Sequence, residues 1–344
     1  MDKKKDSNNI NAIISETKGA ITEVVVADIG GTNARFAIAN VQDGKVLSIN
    51  DECVFKTADY ATLQLAWDAF GQKLGRPLPT AASMAIACAI RGEILKFSNS
   101  PWILRPAAMP AKLNLEKLVL VNDFEAIAHA VAHSKPEHFQ HVCGPKRQDK
   151  LEGVTSIIGP GTGLGVAFLM FRQNGYIVGP TEGGHITYAP SDDIEISILR
   201  YLKQNYRRVS AERIISGPGL GNIYDALAAN AGLAVTHRDD AELWNSALKG
   251  TDHLATAALE RLCLNLGTYC ADIALTHLAN RVVISGGIGL RIADYLPQSG
   301  FGERFVDKGR FERMLSEVPV EVLIYPQPGL LGAAAAFAVK YPQG

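Results

Sequence analysis

No long apolar run interrupts this sequence of 344 residues. The nearest, Leu330–Val339 with one glycine inside it, falls far short of the roughly 20 residues that cross a bilayer. Residues 1–20 are polar and lack the apolar core of a leader peptide. We therefore expect a soluble, cytoplasmic chain without a membrane partner, with residues 1–22 as a disordered extension. Cysteine is scarce. Cys53, Cys88, Cys143, Cys263 and Cys270 are odd in number and form no Cys-x-x-Cys pair, which excludes a disulfide framework and fits a reducing compartment. Excess charge of one sign is absent too: 34 Lys and Arg stand against 35 Asp and Glu. That balance leaves no electrostatic footprint for nucleic acid. The one local basic group, Lys203, Arg207 and Arg208, reads as a solvated helix face.

What is abundant is apolar side chain, at 47%, and glycine, at 32 residues. The length exceeds the usual single core, so two lobes are expected. Val24–Ala27 and Arg35–Ala39 flank a glycine-rich turn and read as a hairpin. Residues 62–75 carry helical apolar spacing and stop at Gly75. Met84–Ile90 and Leu118–Val121 read as buried strands, followed by a helix over about 124–134. A second strand–glycine turn–strand unit spans Thr155–Ile158, Gly159–Gly165 and Val166–Phe171. Helices are expected over about 192–205, 220–231, 240–248 and 252–278, with strands at Val282–Ile284 and Val320–Tyr325 and a closing alanine-rich helix. Two such units suggest two related lobes.

Six segments carry candidate chemistry. In Asp28-Ile29-Gly30-Gly31-Thr32-Asn33, paired glycines let backbone N–H groups approach a phosphate. Asp28 is placed to hold Mg²⁺ directly or through water; an ordinary hairpin turn is the rival reading. Gly159-Pro160-Gly161-Thr162-Gly163-Leu164-Gly165 is neither a P-loop nor a dinucleotide fingerprint, since an extended segment follows it. It has more glycine than a hairpin needs. Asn122-Asp123 ends a strand and opens a helix. It is equally a capping box with Glu125 and a carboxylate placed to accept a proton from an attacking hydroxyl. Glu182-Gly183-Gly184-His185 reads as a flexible polar loop able to fork around a polyol, with no further His or Cys at metal spacing. Glu212 is either a first-turn acid or another hydroxyl acceptor. Ser285-Gly286-Gly287-Ile288-Gly289 after a strand suits a flat adenosine against backbone, or is a tight turn into a helix. His129 and His133, four apart without a nearby acid, read as helix surface.

Taken in order, the segments Ala27–Ala39, Ser98–Trp102, Leu120–Val131, Ile157–Ala167, Thr181–His185, Ser210–Leu227, Ser285–Arg291 and Pro326–Ala336 resemble the bacterial glucokinase family. The likeness is to its proteobacterial, non-ROK group within the hexokinase–actin superfamily, and it runs from about Val24 to Tyr341. It implies an α/β, two-lobed actin-like (ribonuclease H-like) ATPase fold with the active site in the interdomain cleft. The implied small domain is 23–132 plus 328–344, and the large one 133–327. ATP, Mg²⁺ and glucose are the implied ligands, and a homodimer the implied assembly. The resemblance places the catalytic base on Asp123 and the sugar contacts on Asn99, Asn122, Asp123, Glu182, His185 and Glu212. It places the nucleotide on the residues Asp28 to Asn33, on Gly161, Thr162 and Gly163, and on Gly286 and Gly287. ROK kinases carry a zinc motif near the histidine; nothing like it occurs here, so no structural zinc is expected. Ala89 stands where the family commonly has proline. The alternative is a kinase of the same fold for another hexose or an N-acetyl amino sugar. A sugar-sensing regulator would need a DNA-binding module that the polar residues before Val24 are too few to form, and an actin-like filament or chaperone ATPase would have no use for the Asn122–Asp123 and Glu182–His185 groups.

Overall fold

The computed structural model describes residues 19–97, 102–146, 152–173, 175–234 and 239–343. They form two compact units, one running up to Val121 and resuming at Ala333, the other spanning Asn122–Gly332.

In the first unit β1 (Thr22–Ile29), β2 (Asn33–Gln42) and β3 (Lys45–Lys56) form a meander. Helix α1 (Leu63–Leu74), β4 (Ala81–Ile86), the short pair β5 (Leu95–Lys96) and β6 (Ile103–Leu104), α2 (Met109–Leu113) and β7 (Lys117–Asn122) follow. The sheet order is β3-β2-β1-β4-β7, with β1 antiparallel to β2 and parallel to β4. Val24, Val25, Val26 and Ala27 are all fully buried, as a strand covered on both faces requires. Helix α1 buries Leu63, Ala66, Trp67 and Phe70, the single stripe that its 3.6-residue period presents to a core. Phe70 stacks on Phe36 of β2 at 5.5 Å between ring centres. The helix starts on the Thr62 hydroxyl, which accepts from the Leu65 N–H, and ends on Gly75 at φ 70°, a left-handed cap that glycine adopts without strain.

The second unit holds α3 (Asp123–His133), β8 (Phe139–Cys143), β9 (Val154–Pro160), β10 (Leu164–Arg172) and β11 (Gly175–Thr181). Beyond them come α4 (Asp193–Leu202), α5 (Gly217–Asn230), α6 (Asp240–Lys249), α7 (His253–His277), β12 (Arg281–Ile284), α8 (Gly286–Arg291), α9 (Phe301–Val306), α10 (Glu312–Ser316) and β13 (Val320–Leu323). Its sheet order is β11-β10-β9-β12-β13-β8. Here β9 pairs antiparallel with β10 and parallel with β12, the same arrangement that β1 has with β2 and β4. The two-lobed repeat expected from the twin glycine turns is therefore present in the strand order of each unit.

Three expectations are corrected. The extension does not reach residue 22: the Gly19 N–H donates to Asp43 Oδ1 and the Gln42 amide donates to the Gly19 carbonyl, so the ordered chain has begun by Gly19. Residues 1–18 lie outside the described residues. The units divide at Val121/Asn122 and Gly332/Ala333, earlier than residue 132 and later than residue 327, because α3 packs on the second sheet. Its Ala128 and Val131 share a core with Ile157, Ala167 and Leu169, and Gly332 lies so close to the Ala126 carbonyl that a Cβ there would meet it at 1.8 Å. Finally, β4 ends at Ile86, short of the expected Ile90.

The C-terminal helix α11 (Pro328–Lys340) completes the chain. None of the five cysteines forms a disulfide. Among the described residues no helix is long and apolar enough to cross a membrane, and no three His, Cys, Asp or Glu side chains gather as a metal site.

Candidate active site

The first turn of α3 is built as a capping box. The Asn122 side chain accepts from the Phe124 N–H at 2.9 Å, and Glu125 returns the favour to the Asn122 N–H at 3.3 Å. Burial raises the Glu125 carboxyl above its usual range, and the Asn122 N–H opposes that. Asp123, half-buried, also accepts from the Phe124 N–H through Oδ1 at 3.0 Å. The capping reading of Asn122 therefore holds, and Asp123 is left as the neighbouring acid.

What sets this turn in place is Phe124. Gly159 and Gly165 face each other across β9 and β10, and the Phe124 ring rests on both. A Cβ would lie 2.2 Å from the ring at Gly159 and 1.9 Å at Gly165, distances no packed side chain tolerates. Two of the four glycines of this segment thus make room for an aromatic ring, which seats the first turn of α3 on β9 and β10. Sequence reading missed Phe124. The cross-strand glycine pair was its only trace.

The other glycines of this turn are tied down at its tip. The Gly161 N–H donates to the Gly163 carbonyl at 2.8 Å, and the Gly161 carbonyl accepts from the Gly217 N–H of α5 at 2.7 Å. The Gly161 amide expected to meet phosphate is thereby occupied within the turn. A Cβ at Gly161 would meet nothing within 4 Å, so one face of the tip is open beside Thr162. A Cβ at Gly163 would fall 2.5 Å from Glu212 Oε2, and that oxygen accepts from the Leu164 N–H at 3.0 Å. Glu212 lies in the first turn of the short 3-10 segment Ala211–Arg213 and from there braces the glycine-rich turn.

The Glu182–His185 segment also packs on Leu164. It is a 3-10 turn, Gly183–His185, with Gly184 so near the Leu164 carbonyl that a Cβ would sit at 1.8 Å. The flexible loop expected here is a packed turn: its two glycines are needed for contact with β10, not for motion. Glu182 and His185 remain largely exposed, their Oε2 and Nε2 3.9 Å apart. The His185 carbonyl accepts from Arg208, and the Ala211 N–H donates to the Ile186 carbonyl at 2.9 Å. Arg208 belongs to the turn after α4, which ends at Leu202; the basic group expected on a helix face lies past that helix. Leu164 and Gly165 are thus where Phe124, Glu212 and the Gly183–His185 turn meet, with Asp123 adjacent to Phe124 in the chain.

Ser285–Gly289 is a strand-to-helix junction. Gly286 takes φ 83° and would put a Cβ 2.6 Å from the Pro160 carbonyl, while a Cβ at Gly287 would meet nothing within 4 Å. Helix α8 begins at Gly286, the tight-turn reading of this segment; the open surface over Gly287 lies on it.

In the first unit the Asp28–Asn33 turn has a frame of its own. The Gly30 N–H donates to the Asn33 carbonyl at 2.9 Å, the Ile29 carbonyl accepts from Ala87, and the Thr57 N–H donates to the Thr32 carbonyl at 2.9 Å. The Thr57 hydroxyl donates to the Gly31 carbonyl at 2.6 Å; nothing in the sequence marked Thr57 for this. Asp28 is not an isolated carboxylate, since Arg35 Nη1 lies 3.5 Å from its Oδ2. Burial raises its carboxyl above the usual range and Arg35 opposes the rise. Asn99 lies outside the described residues.

The histidines of α3 are not surface groups. His129 is 8% exposed, and its Nδ1 and the Nε2 of His133 both contact the Tyr176 hydroxyl of β11, at 2.8 and 3.1 Å. With one proton to give, the hydroxyl donates to one ring and accepts from the other. Burial and the neighbouring His133 lower His129 from 6.5 to about 4. Its folded value lies below its unfolded one, so its contribution to stability is present above pH 6.5 and lost as pH falls toward 4. That difference amounts to about 3 kcal/mol. We expect the urea midpoint to drop over this window, and His129→Gln to flatten the drop; an unchanged pH profile in the variant would refute the assignment.

Known glucokinases match this chain over nearly its whole length. A family model described as Glucokinase matches residues 25–340. The glucokinase of Zymomonas mobilis is 57% identical over 321 residues, covering 93% of this chain and 99% of its own. That of Neisseria meningitidis is 38% identical over 313 residues, covering 91% and 94%. Among solved structures, the glucokinase of an Antarctic psychrotroph superposes with a TM-score of 0.81 at 31% identity, covering 92% of this chain and 98% of its own. This chain belongs to the glucokinase family.

Proposed function

We propose that Asp123 takes the proton of the glucose 6-hydroxyl as that oxygen attacks the γ-phosphorus of ATP, with Glu182, His185, Glu212, Asn122 and Asn99 holding the other hydroxyls. Membership of the family makes the protein an ATP-dependent hexose kinase that converts glucose to glucose 6-phosphate. The observation supporting the residue roles is what packs on Leu164–Gly165 in the second unit: Phe124, next in sequence to Asp123, the Glu212 carboxylate, and Gly184 of the turn that carries Glu182 and His185.

In this reading a bond forms between the sugar oxygen and phosphorus while the bond from phosphorus to the departing ADP oxygen breaks, and the hydroxyl proton passes to the Asp123 carboxylate. Little covalent work falls to the protein, so positioning and charge stabilisation dominate. The Thr162 and Gly163 amides, with the open face over Gly161, serve the phosphates; Asp28–Asn33 of the first unit serves them as well. The surface over Gly286 and Gly287 takes the adenosine. One carboxylate suits Mg²⁺, which keeps most of its waters and borrows phosphate oxygens. Asp28 would hold it through water, where the ion neutralises charge on the phosphates. Family resemblance supports a cytoplasmic homodimer, to be checked by light scattering for a mass twice that of the chain.

The test is a sugar panel with purified protein and Mg-ATP in a coupled ADP assay. Glucose is expected to give the highest kcat/KM, and a higher value for mannose, fructose or an N-acetylated amino sugar would overturn the substrate reading. Glu182→Ala is expected to raise the glucose KM by roughly tenfold or more, as loss of a polar partner does, and the ATP KM far less. Equal rises would remove Glu182 from the sugar site.

A further inference from the structure

Glu212 sits in the short turn Ala211–Arg213, and this turn is held from several sides. The Ala211 N–H is bonded to Ile186, the Arg213 guanidinium lies 4.3 Å from the centre of the Tyr206 ring, and the Arg213 carbonyl accepts from Asn222 of α5 at 2.8 Å. A carboxylate on so fixed a base is a strut. Its Oε2 meets the Leu164 N–H at the point where the glycine-rich turn becomes β10. Gly163 is the residue this requires, because a Cβ there would occupy the position of the carboxylate.

A carboxylate accepts hydrogen bonds through both oxygens, so one group can serve two partners. From this geometry we infer that Glu212 is a positioning residue for the phosphate-binding turn: Oε2 sets the turn through Leu164 while Oε1 serves a sugar hydroxyl. The inference rests on the proposed reading of the turn as a phosphate site and of Glu212 as a sugar ligand. It makes the nucleotide site depend on a residue of the sugar site with no sugar present. Glutamine preserves an oxygen acceptor for Leu164 and alters the other position; alanine removes both.

The experiment titrates AMPPNP with Mg²⁺, in the absence of sugar, into wild type, Glu212→Gln, Glu212→Ala and Gly163→Ala, and follows hydrogen exchange of the Leu164 amide in the same proteins. Glu212→Ala and Gly163→Ala are expected to weaken AMPPNP roughly tenfold, the scale of one hydrogen bond to a charged group, with faster Leu164 exchange, while Glu212→Gln stays within about twofold. Wild-type nucleotide affinity in Glu212→Ala, or unaltered Leu164 exchange, overturns the inference. Should Glu212→Ala fail to fold, Gly163→Ala against Glu212→Gln decides between the same two outcomes. Glucose KM is read separately. If neither Glu212 variant moves it, the sugar role fails while the AMPPNP arm still decides the strut; if wild type does not bind AMPPNP, the phosphate reading itself fails and the strut is judged on Leu164 exchange.

Discussion

Asp123→Ala is expected to lower kcat roughly 10²–10⁴-fold, the range a positioned general base contributes, with glucose affinity close to wild type. The fold should tolerate the change. The helix cap proper is Asn122, and Glu125 closes the box; Asp123 Oδ1 is a second acceptor on a Phe124 N–H that Asn122 already holds. Its loss should therefore cost under about 1 kcal/mol, the scale of a first-turn acid at a helix N-terminus. Asn122→Ala should behave in the opposite way and cost about 1 kcal/mol through the cap. Asp123→Asn sharpens the comparison, since it keeps an acceptor for Phe124 and removes the base. Turnover by ADP release, glucose binding by calorimetry and the thermal midpoint separate the three effects. An Asp123→Ala enzyme retaining about half of wild-type turnover would be far outside what loss of a base allows, and the role would have to move elsewhere.

The local signals in the chain were strong where one element decides them. Thr62 and Gly75 bound α1 as N- and C-caps, and the β1–β2 and β9–β10 hairpins lie where apolar runs flank glycines. The capping box at Asn122 was legible from Glu125 three residues on. Signals failed where the reason for a residue lies on a distant element. Gly159 and Gly165 read only as more glycine than a hairpin needs, because Phe124, their occupant, comes from another part of the chain. His129 and His133 read as surface because Tyr176 lies on β11, a strand with no apolar alternation strong enough to announce it. The Gly183–Gly184 pair read as flexibility, since sequence carries no sign of the Leu164 carbonyl against which it packs. In each case the residue type was noticed and the partner was not.

Gly165→Ala is expected to damage stability and catalysis together, and its effect should be reversible by a second change. The added methyl would lie 1.9 Å from Phe124 Cε2 and 2.0 Å from Cδ2, with Gly159 closing the opposite side. The ring must leave its seat, and the first turn of α3 moves with it. Overpacking of this kind costs about 1–3 kcal/mol, and a shift of about 1 Å in a reacting group can cost roughly 10² in rate. Phe124→Leu alone should also be destabilising, because it leaves the space over the two glycines unfilled. In the double variant the alanine methyl and the shorter side chain share that space, so stability and kcat should both recover beyond the sum of the single changes, the coupling expected of residues in direct contact. The measurement is a double-mutant cycle on the thermal midpoint and on kcat at saturating glucose and ATP. Strict additivity in both would mean that Phe124 does not hold Asp123 to the glycine-rich turn. Recovery of stability without recovery of kcat would assign the contact to folding alone and remove Phe124 from the positioning of the base.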